Sequence, residues 1–332
     1  MNISIFGSGG WGTAISLLLS DNGHRVTLWS KFPEEACALS ETRATPLLGG
    51  IILPQSVAIT SDIADACHGA RLAVIATPSH AVRETAREMS AFLAPGTVVV
   101  CVSKGIDERD LKLFSQVLSE IFGEERRIVT LSGPSHAEEV ARRIPTGCVA
   151  ASRDENAALL VQDAFMNENF RVYTSSDVIG VELGAALKNV IALCAGTCDG
   201  LGFGDNTIAM LATRGLEEIA RLAVAMGGRK ETIAGLAGLG DLIVTCTSRH
   251  SRNRRAGVFI GQGMDTQSAM KAVGATVEGY YAALAAKNLS DKLSVEMPIC
   301  RAAYSVLYES KPPREAIREL MNRAKRSESD IL

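Results

Sequence analysis

The sequence has almost no excess charge of either sign. Lys plus Arg total 34 and Asp plus Glu 37, a formal net charge of −3. That balance gives no reason to expect nucleic acid or an anionic membrane as a partner. It also lacks a run of about 18 uninterrupted apolar residues, so no membrane span is expected. The start, MNISIFGSGGWGTAISLLLS, has no basic leader region and is broken by four glycines, unlike a signal peptide. Repeats are missing. So is any His/Cys cluster: the cysteines at 37, 67, 101, 148, 194, 198, 246 and 300 are scattered, mostly in apolar runs. A free thiol in such a run behaves as a small hydrophobe. No metal site and no disulfide scaffold are expected, and a reducing, cytoplasmic setting fits best.

What is present is a full-sized globular chain. Hydrophobic residues make up 47% of 332, and that length suggests two domains. Residues 2–6 read as a strand, GSGGWG follows, then a helical run to Gly23 and a second strand at 24–30. Further strands are expected at 71–79, 97–105, 127–135, 147–152 and 170–175, with helices at 80–93, 110–122 and 154–166. Apolar strands alternating with helices imply a mainly parallel sheet covered on both faces. After residue 176 the pattern becomes helical: 179–197, 206–226, 230–238, 252–262, 265–273, 277–288, 296–309 and 313–325. The expected fold class is an α/β Rossmann domain, 1–176, followed by an all-α domain, 177–332. The polar tail, RAKRSESDIL, is expected to fray.

Several places carry chemistry. Gly7, Gly9 and Gly12 form G-x-G-x-x-G between a strand and a helix inside a βαβ unit, as a dinucleotide fingerprint requires. The second strand then ends at Ser30-Lys31, where a ribose-binding acid would suit NAD. A cation there suits a 2′-phosphate, so NADP is plausible; a solvated surface lysine fits equally well. Lys104, in VSKGI, falls at a strand's carboxyl end, where ligands of doubly wound sheets bind.

Lys188 lies in the apolar stretch GVELGAALKNVIALCAG, on one stripe with Val181, Gly184, Ile191 and Ala195. It reads either as a general acid or fixed charge on a developing oxyanion, or as a snorkelling lysine with a packed stem. Neighbouring Asn189 can orient it. Asp241 is as isolated as Lys188, and two lone opposite charges in apolar surroundings suggest a pair. SRNRR, residues 251–255, opens a helix with guanidinium groups and suits a phosphate, or is a solvated basic face.

The motifs GSGGWGTA, VSKGI, SGPSHAEEV, ELGAALKNVIALCAGTCDGLGFGDN, GLAGLGDLIVTCTSRHSRNRRAG and VEGYYA resemble the NAD(P)-dependent glycerol-3-phosphate dehydrogenase family of bacterial type, from about residue 3 to about 325. The resemblance implies reversible reduction of dihydroxyacetone phosphate to sn-glycerol 3-phosphate for glycerophospholipid synthesis. It implies Lys188 as the proton donor and acceptor, with Lys104 and Asp241 as further catalytic groups. Substrate contacts would come from Lys104, Gly133, Ser135, Lys188, Asn189, Asp241, Thr245, Ser251, Arg252 and Asn253. Cofactor contacts would come from Gly7, Gly9, Gly10, Trp11, Gly12, Lys31, Lys104, Ala137, Arg252, Thr276 and Glu278. A homodimer is the expected assembly. Two departures stand out: Gly10-Trp11 in the fingerprint, where relatives often have Ser with Tyr or Trp, and His136 where Phe is common. Two other functions remain in view: a related hydroxy-acid dehydrogenase, or a non-catalytic NAD(P)-sensing protein.

Overall fold

The structure, a computed structural model, describes residues 1–325, 327 and 328. The fraying expected of the tail concerns in part residues 326 and 329–332, which lie outside the described residues. The chain forms two compact units. One comprises Met1–Asp107 with Lys112–Val178; the other comprises Glu108–Leu111 and the chain from Ile179 onward.

The first unit is built on eight strands. In chain order the elements are β1 (Asn2–Phe6), α1 (Gly10–Asp21), β2 (Arg25–Trp29), α2 (Pro33–Thr42), β3 (Ala58–Thr60), α3 (Ile63–Cys67), β4 (Leu72–Ile75), α4 (Val82–Ser90), β5 (Val98–Cys101), α5 (Phe114–Phe122), β6 (Ile128–Ser132), α6 (Ala137–Val140), β7 (Thr146–Ala151), α7 (Glu155–Phe165) and β8 (Phe170–Ser175). The sheet order is β3-β2-β1-β4-β5-β6-β7-β8. All pairings are parallel except β6 with β7, which is antiparallel. The strand order therefore reverses beside β1, between β2 and β4, the switch point where such sheets take ligands. β4 (LAVI) and β5 (VVVC) are buried along their whole length. Two apolar clusters cover the two faces: one includes Ile3, Ile5, Ile15, Leu19 and Val74, the other Phe6, Ile75, Val99 and Phe114. The mainly parallel, doubly covered sheet is as the apolar strand pattern implied.

Two small elements escaped the strand-and-helix reading of 31–70. β3 is a three-residue edge strand whose side chains are only half buried, and α3 has five residues. Neither is long enough to display a period. The helix expected at 110–122 starts at Phe114, because Gln116 folds back onto the Leu113 N–H and fixes the start there.

The second unit is helical: α8 (Val178–Gly200), α9 (Asp205–Ala225), α10 (Lys230–Ile233), a π-helical turn (Leu236–Gly240), α11 (Asp241–Thr247), α12 (Arg252–Gly261), α13 (Thr266–Val273), α14 (Glu278–Leu293), α15 (Pro298–Tyr308) and α16 (Pro313–Met321). By length and composition α8 could cross a membrane, but 83% of its most apolar window is buried inside the protein. It is a mostly buried helix of this unit. The helix expected over 230–238 stops at Ile233, since Gly235, Gly238 and Gly240 weaken helix continuation. α11, absent from the sequence reading, begins directly after that π turn.

Glycines let α8 and α12 cross with their backbones almost touching. A Cβ on Gly196 would lie 2.0 Å from the Arg254 carbonyl oxygen, and one on Gly257 would lie 2.0 Å from that of Leu193. Gly200 and Gly261 repeat the arrangement one turn on, against Val258 and Thr197. This crossing sets the start of α12 beside the middle of α8.

Candidate active site

The glycine-rich turn is shaped by packing at two positions and by open space at a third. Gly7 has φ +123°, and a Cβ there would lie 2.8 Å from the Ala76 carbonyl oxygen. A Cβ on Gly12 would lie 1.9 Å from the Gly7 oxygen. These two let α1 sit tightly against β1 and β4. Gly9 differs: a Cβ there would meet nothing within 4 Å. Internal packing therefore does not explain the glycine at position 9; a backbone approached by another molecule does. Gly9 is also the N-cap of α1 and offers no side chain to its free N–H groups. That helix end is suited to an anion. Gly10 faces Leu47, Leu48 and Ala137, and Trp11 packs against the apolar cluster of the sheet. Thr77, at the carboxyl end of β4, has a buried hydroxyl without a hydrogen-bond partner. The turn fits the pyrophosphate of a dinucleotide.

Lys31 follows β2 and is held by two carboxylates: its Nζ lies 3.2 Å from Glu84 Oε1 and 3.2 Å from Glu88 Oε1. The Ser30 hydroxyl donates to Glu35 Oε2 at 2.6 Å. Lys104 follows β5. Its ammonium donates to the Gly133 carbonyl at 3.0 Å and to Ser135 Oγ at 3.2 Å, so these three predicted residues are neighbours. The loop that carries Lys104 is fastened three residues on by a buried pair, Arg83 Nε to Asp107 Oδ2 at 2.9 Å. Sequence reading missed this pair, because Arg83 reads as one more charge on the amphipathic helix α4. Ala137 begins α6.

In the helical unit, Lys188 and Asp241 do pair. Lys188 is 5% exposed and Asp241 1%. Lys188 Nζ donates to Asp241 Oδ1, and to Thr245 Oγ1 at 2.7 Å. Asp241 and Thr245 are one turn apart on α11, so one face presents both to the ammonium. The Thr245 hydroxyl donates in turn to the Asp241 carbonyl at 2.6 Å. Gly184, a turn before the lysine, clears the way for this contact: a Cβ there would lie 2.9 Å from the Ala237 carbonyl oxygen. Burial pushes the neighbouring Cys246 thiol up to about 12, against the pull of Lys188 and Arg254, so it stays neutral.

Asn189 links the lysine to the start of α12. Its Oδ1 accepts from Asn253 Nδ2 at 2.8 Å, and Asn253 Oδ1 accepts from the Gly279 N–H at 2.8 Å. Ser251 is the N-cap of α12, its hydroxyl accepting from the Arg254 N–H at 3.2 Å. Arg252 and Arg255 are exposed, whereas Arg254 is bound to Asp199. Lys188, Asp241 and Thr245 thus form one hydrogen-bonded group and Asn189, Asn253 and Gly279 a second, set side by side by the adjacency of Lys188 and Asn189 on α8, with Ser251 capping α12 and Arg252 exposed. Glu278 opens α14 beside Gly279, and Thr276 lies in the preceding loop.

A sheet with its switch point at a glycine-rich turn, and a buried lysine–carboxylate pair on a helical unit, define a dinucleotide-dependent dehydrogenase. Family models described as the N-terminus and the C-terminus of NAD-dependent glycerol-3-phosphate dehydrogenase match residues 2–158 and 177–318. A glycerol-3-phosphate dehydrogenase [NAD(P)+] of Thermoanaerobacter sp. is 49% identical over 328 residues, covering 99% of both chains. That of Moorella thermoacetica is 50% identical, covering 98% of this chain and 97% of the relative. The crystal structure of the Coxiella burnetii glycerol-3-phosphate dehydrogenase superposes with a TM-score of 0.93 at 35% identity, covering 97% of this chain and 99% of that one. The chain belongs to the NAD-dependent glycerol-3-phosphate dehydrogenase family and is an oxidoreductase.

Proposed function

We propose that this chain catalyses the reversible reduction of dihydroxyacetone phosphate to sn-glycerol 3-phosphate, supplying glycerophospholipid synthesis. The observation that carries the reading is the buried group of Lys188, Asp241 and Thr245 joined through Asn189 and Asn253 to the start of α12. A reduced nicotinamide dinucleotide supplies the hydride when bound. The residues around Gly7, Gly9, Gly10, Trp11, Gly12, Ala137 and Lys31 hold that dinucleotide in this reading, with Lys104, Arg252, Thr276 and Glu278 as further contacts.

The chain's own contribution is charge and proton control. As the C2 carbonyl of the substrate becomes an alkoxide, Lys188 delivers the proton or stabilises the negative charge. Asp241 and Thr245 aim its ammonium. Lys104, steadied by Gly133 and Ser135, adds a second cation. The substrate phosphate takes the exposed guanidinium of Arg252 and the N–H groups capped by Ser251, while Asn253 keeps that helix end in place. Lys31 is the cation that a 2′-phosphate would meet in this reading, so NADPH is the alternative to NADH.

Residues 1–176 act in this reading as the dinucleotide domain and 177–332 as the substrate domain of a cytoplasmic homodimer. The cysteines, scattered along the chain and mostly in apolar runs, suit a reducing compartment in this reading. Initial rates of dihydroxyacetone phosphate reduction with NADH and NADPH side by side test the function. Oxidation of 3-hydroxyisobutyrate in place of glycerol 3-phosphate would favour a hydroxy-acid dehydrogenase; binding of NAD(P)H with no turnover would favour a sensor.

A further inference from the structure

The residues just after β2 are where a dinucleotide's adenosine ribose is read, and where a cation normally signals a 2′-phosphate. Here that cation is already engaged. Lys31 Nζ bridges Glu84 Oε1 and Glu88 Oε1, each at 3.2 Å. Both acids stand on α4, one turn apart, where two like charges facing the same way repel. Lys31 relieves that repulsion by sitting between them. The three groups together carry +1 − 2 = −1, so a phosphate dianion meets a net negative site. Ser30, the other polar side chain after β2, is likewise taken by a carboxylate, that of Glu35. The preceding cation on α4, Arg83, is committed to Asp107.

We propose that Glu84 and Glu88 are positioning residues that clamp Lys31 and tilt this chain toward the dinucleotide lacking a 2′-phosphate. The proposal rests on the dinucleotide reading given above. NADH leaves the clamp intact. NADPH must draw Lys31 away from two carboxylates while bringing its own negative charge close to them. Hydrogen bonding to Glu84 first, and then to Glu88, raises the Lys31 pKa. The ammonium therefore stays charged across the neutral range, and pH does not undo the clamp. The three side chains are 46%, 64% and 38% exposed, so solvent screens each contact and a few-fold effect per carboxylate is the expected scale.

The test is direct binding of NADH and NADPH to the full chain by titration calorimetry, in the unaltered protein, in E84Q/E88Q and in E84Q/E88Q/K31A. The expected result is that E84Q/E88Q lowers the ratio of the NADPH Kd to the NADH Kd about tenfold. Adding K31A should return the ratio toward its starting value, because the freed lysine is what grips the phosphate. A ratio within about twofold of the original in folded E84Q/E88Q would overturn the clamp. So would a gain that survives the loss of Lys31. If the unaltered chain bound neither dinucleotide, the reading beneath the proposal would fall first. A merely structural role for the two acids would shift both dissociation constants together and leave their ratio alone.

Discussion

A buried ammonium is the residue around which this protein is organised. Lys188 sits in the apolar core of the helical unit and is compensated by a carboxylate and a hydroxyl on α11. Burying such a pair contributes little to stability, but stranding one member is costly. Asp241→Leu should therefore destabilise the chain by about 3–5 kcal/mol in chemical denaturation. The double variant Lys188→Met with Asp241→Leu should recover most of that loss while remaining inactive. A double variant no more stable than the single one would show that the pair itself, rather than its imbalance, holds the core. Activity separates differently. Lys188→Ala, assayed while folded, should lose ~10²–10⁴-fold in kcat. Its NADH affinity should stay unchanged, because no part of Lys188 is assigned to the dinucleotide. Unchanged turnover would remove the lysine from the mechanism.

At the scale of elements, the glycine-rich turn illustrates how one motif mixes packing with ligand approach. Gly12 is required by the meeting of α1 with β1, and Gly9 by nothing inside the protein. Gly12→Ala should accordingly cost about 1–3 kcal/mol through overpacking, seen as a lower melting temperature. Gly9→Ala should leave the melting temperature within the scatter of the unaltered protein and weaken NADH binding. Equal loss of stability in both variants would contradict the assignment of Gly9 to a ligand. The helical unit uses glycine for another end. Gly196, Gly200, Gly257 and Gly261 draw α8 and α12 together, and that crossing brings Asn253 to Asn189. α11 was not visible in the sequence because seven residues do not complete a helical pattern. Asp241 was nonetheless legible as an isolated charge. What could not be read was that Thr245 would share its face, or that Asn253 would spend its amide on Asn189 and Gly279.

For the whole molecule, the response to pH carries the mark of another buried acid, Glu218. It lies on α9 and caps α15, accepting from the Ile299 N–H at 2.6 Å and the Cys300 N–H at 3.1 Å. Burial raises its pKa from 4.5 to about 7, against the opposing pull of those two N–H groups and Arg221. The folded chain then binds a proton that the unfolded chain has released, so stability falls as pH rises from about 4.5 to about 7. Two to three pKa units correspond to about 3 kcal/mol. Glu218→Gln should flatten the dependence of unfolding free energy on pH across that window, measured against the unaltered chain. An unchanged slope would place the carboxyl in a more polar setting than its burial implies. In the sequence Glu218 is one charge of LEEIARL, and nothing in that local pattern marks it as buried. Local pattern determined much of this protein: the order of most strands and helices, the change to helices after residue 176, the glycine fingerprint, and the isolation of two opposite charges, Lys188 and Asp241, in apolar stretches. Those features depend on neighbours in the chain, which repeat with the period of a helix or a strand. Tertiary structure alone decided which side chains meet. It turned β7 antiparallel to β6, set Glu84 and Glu88 on Lys31, fixed Arg83 to Asp107, and buried Glu218 under α15. Such contacts join residues tens of positions apart, and only the packing of whole elements brings them within hydrogen-bonding distance.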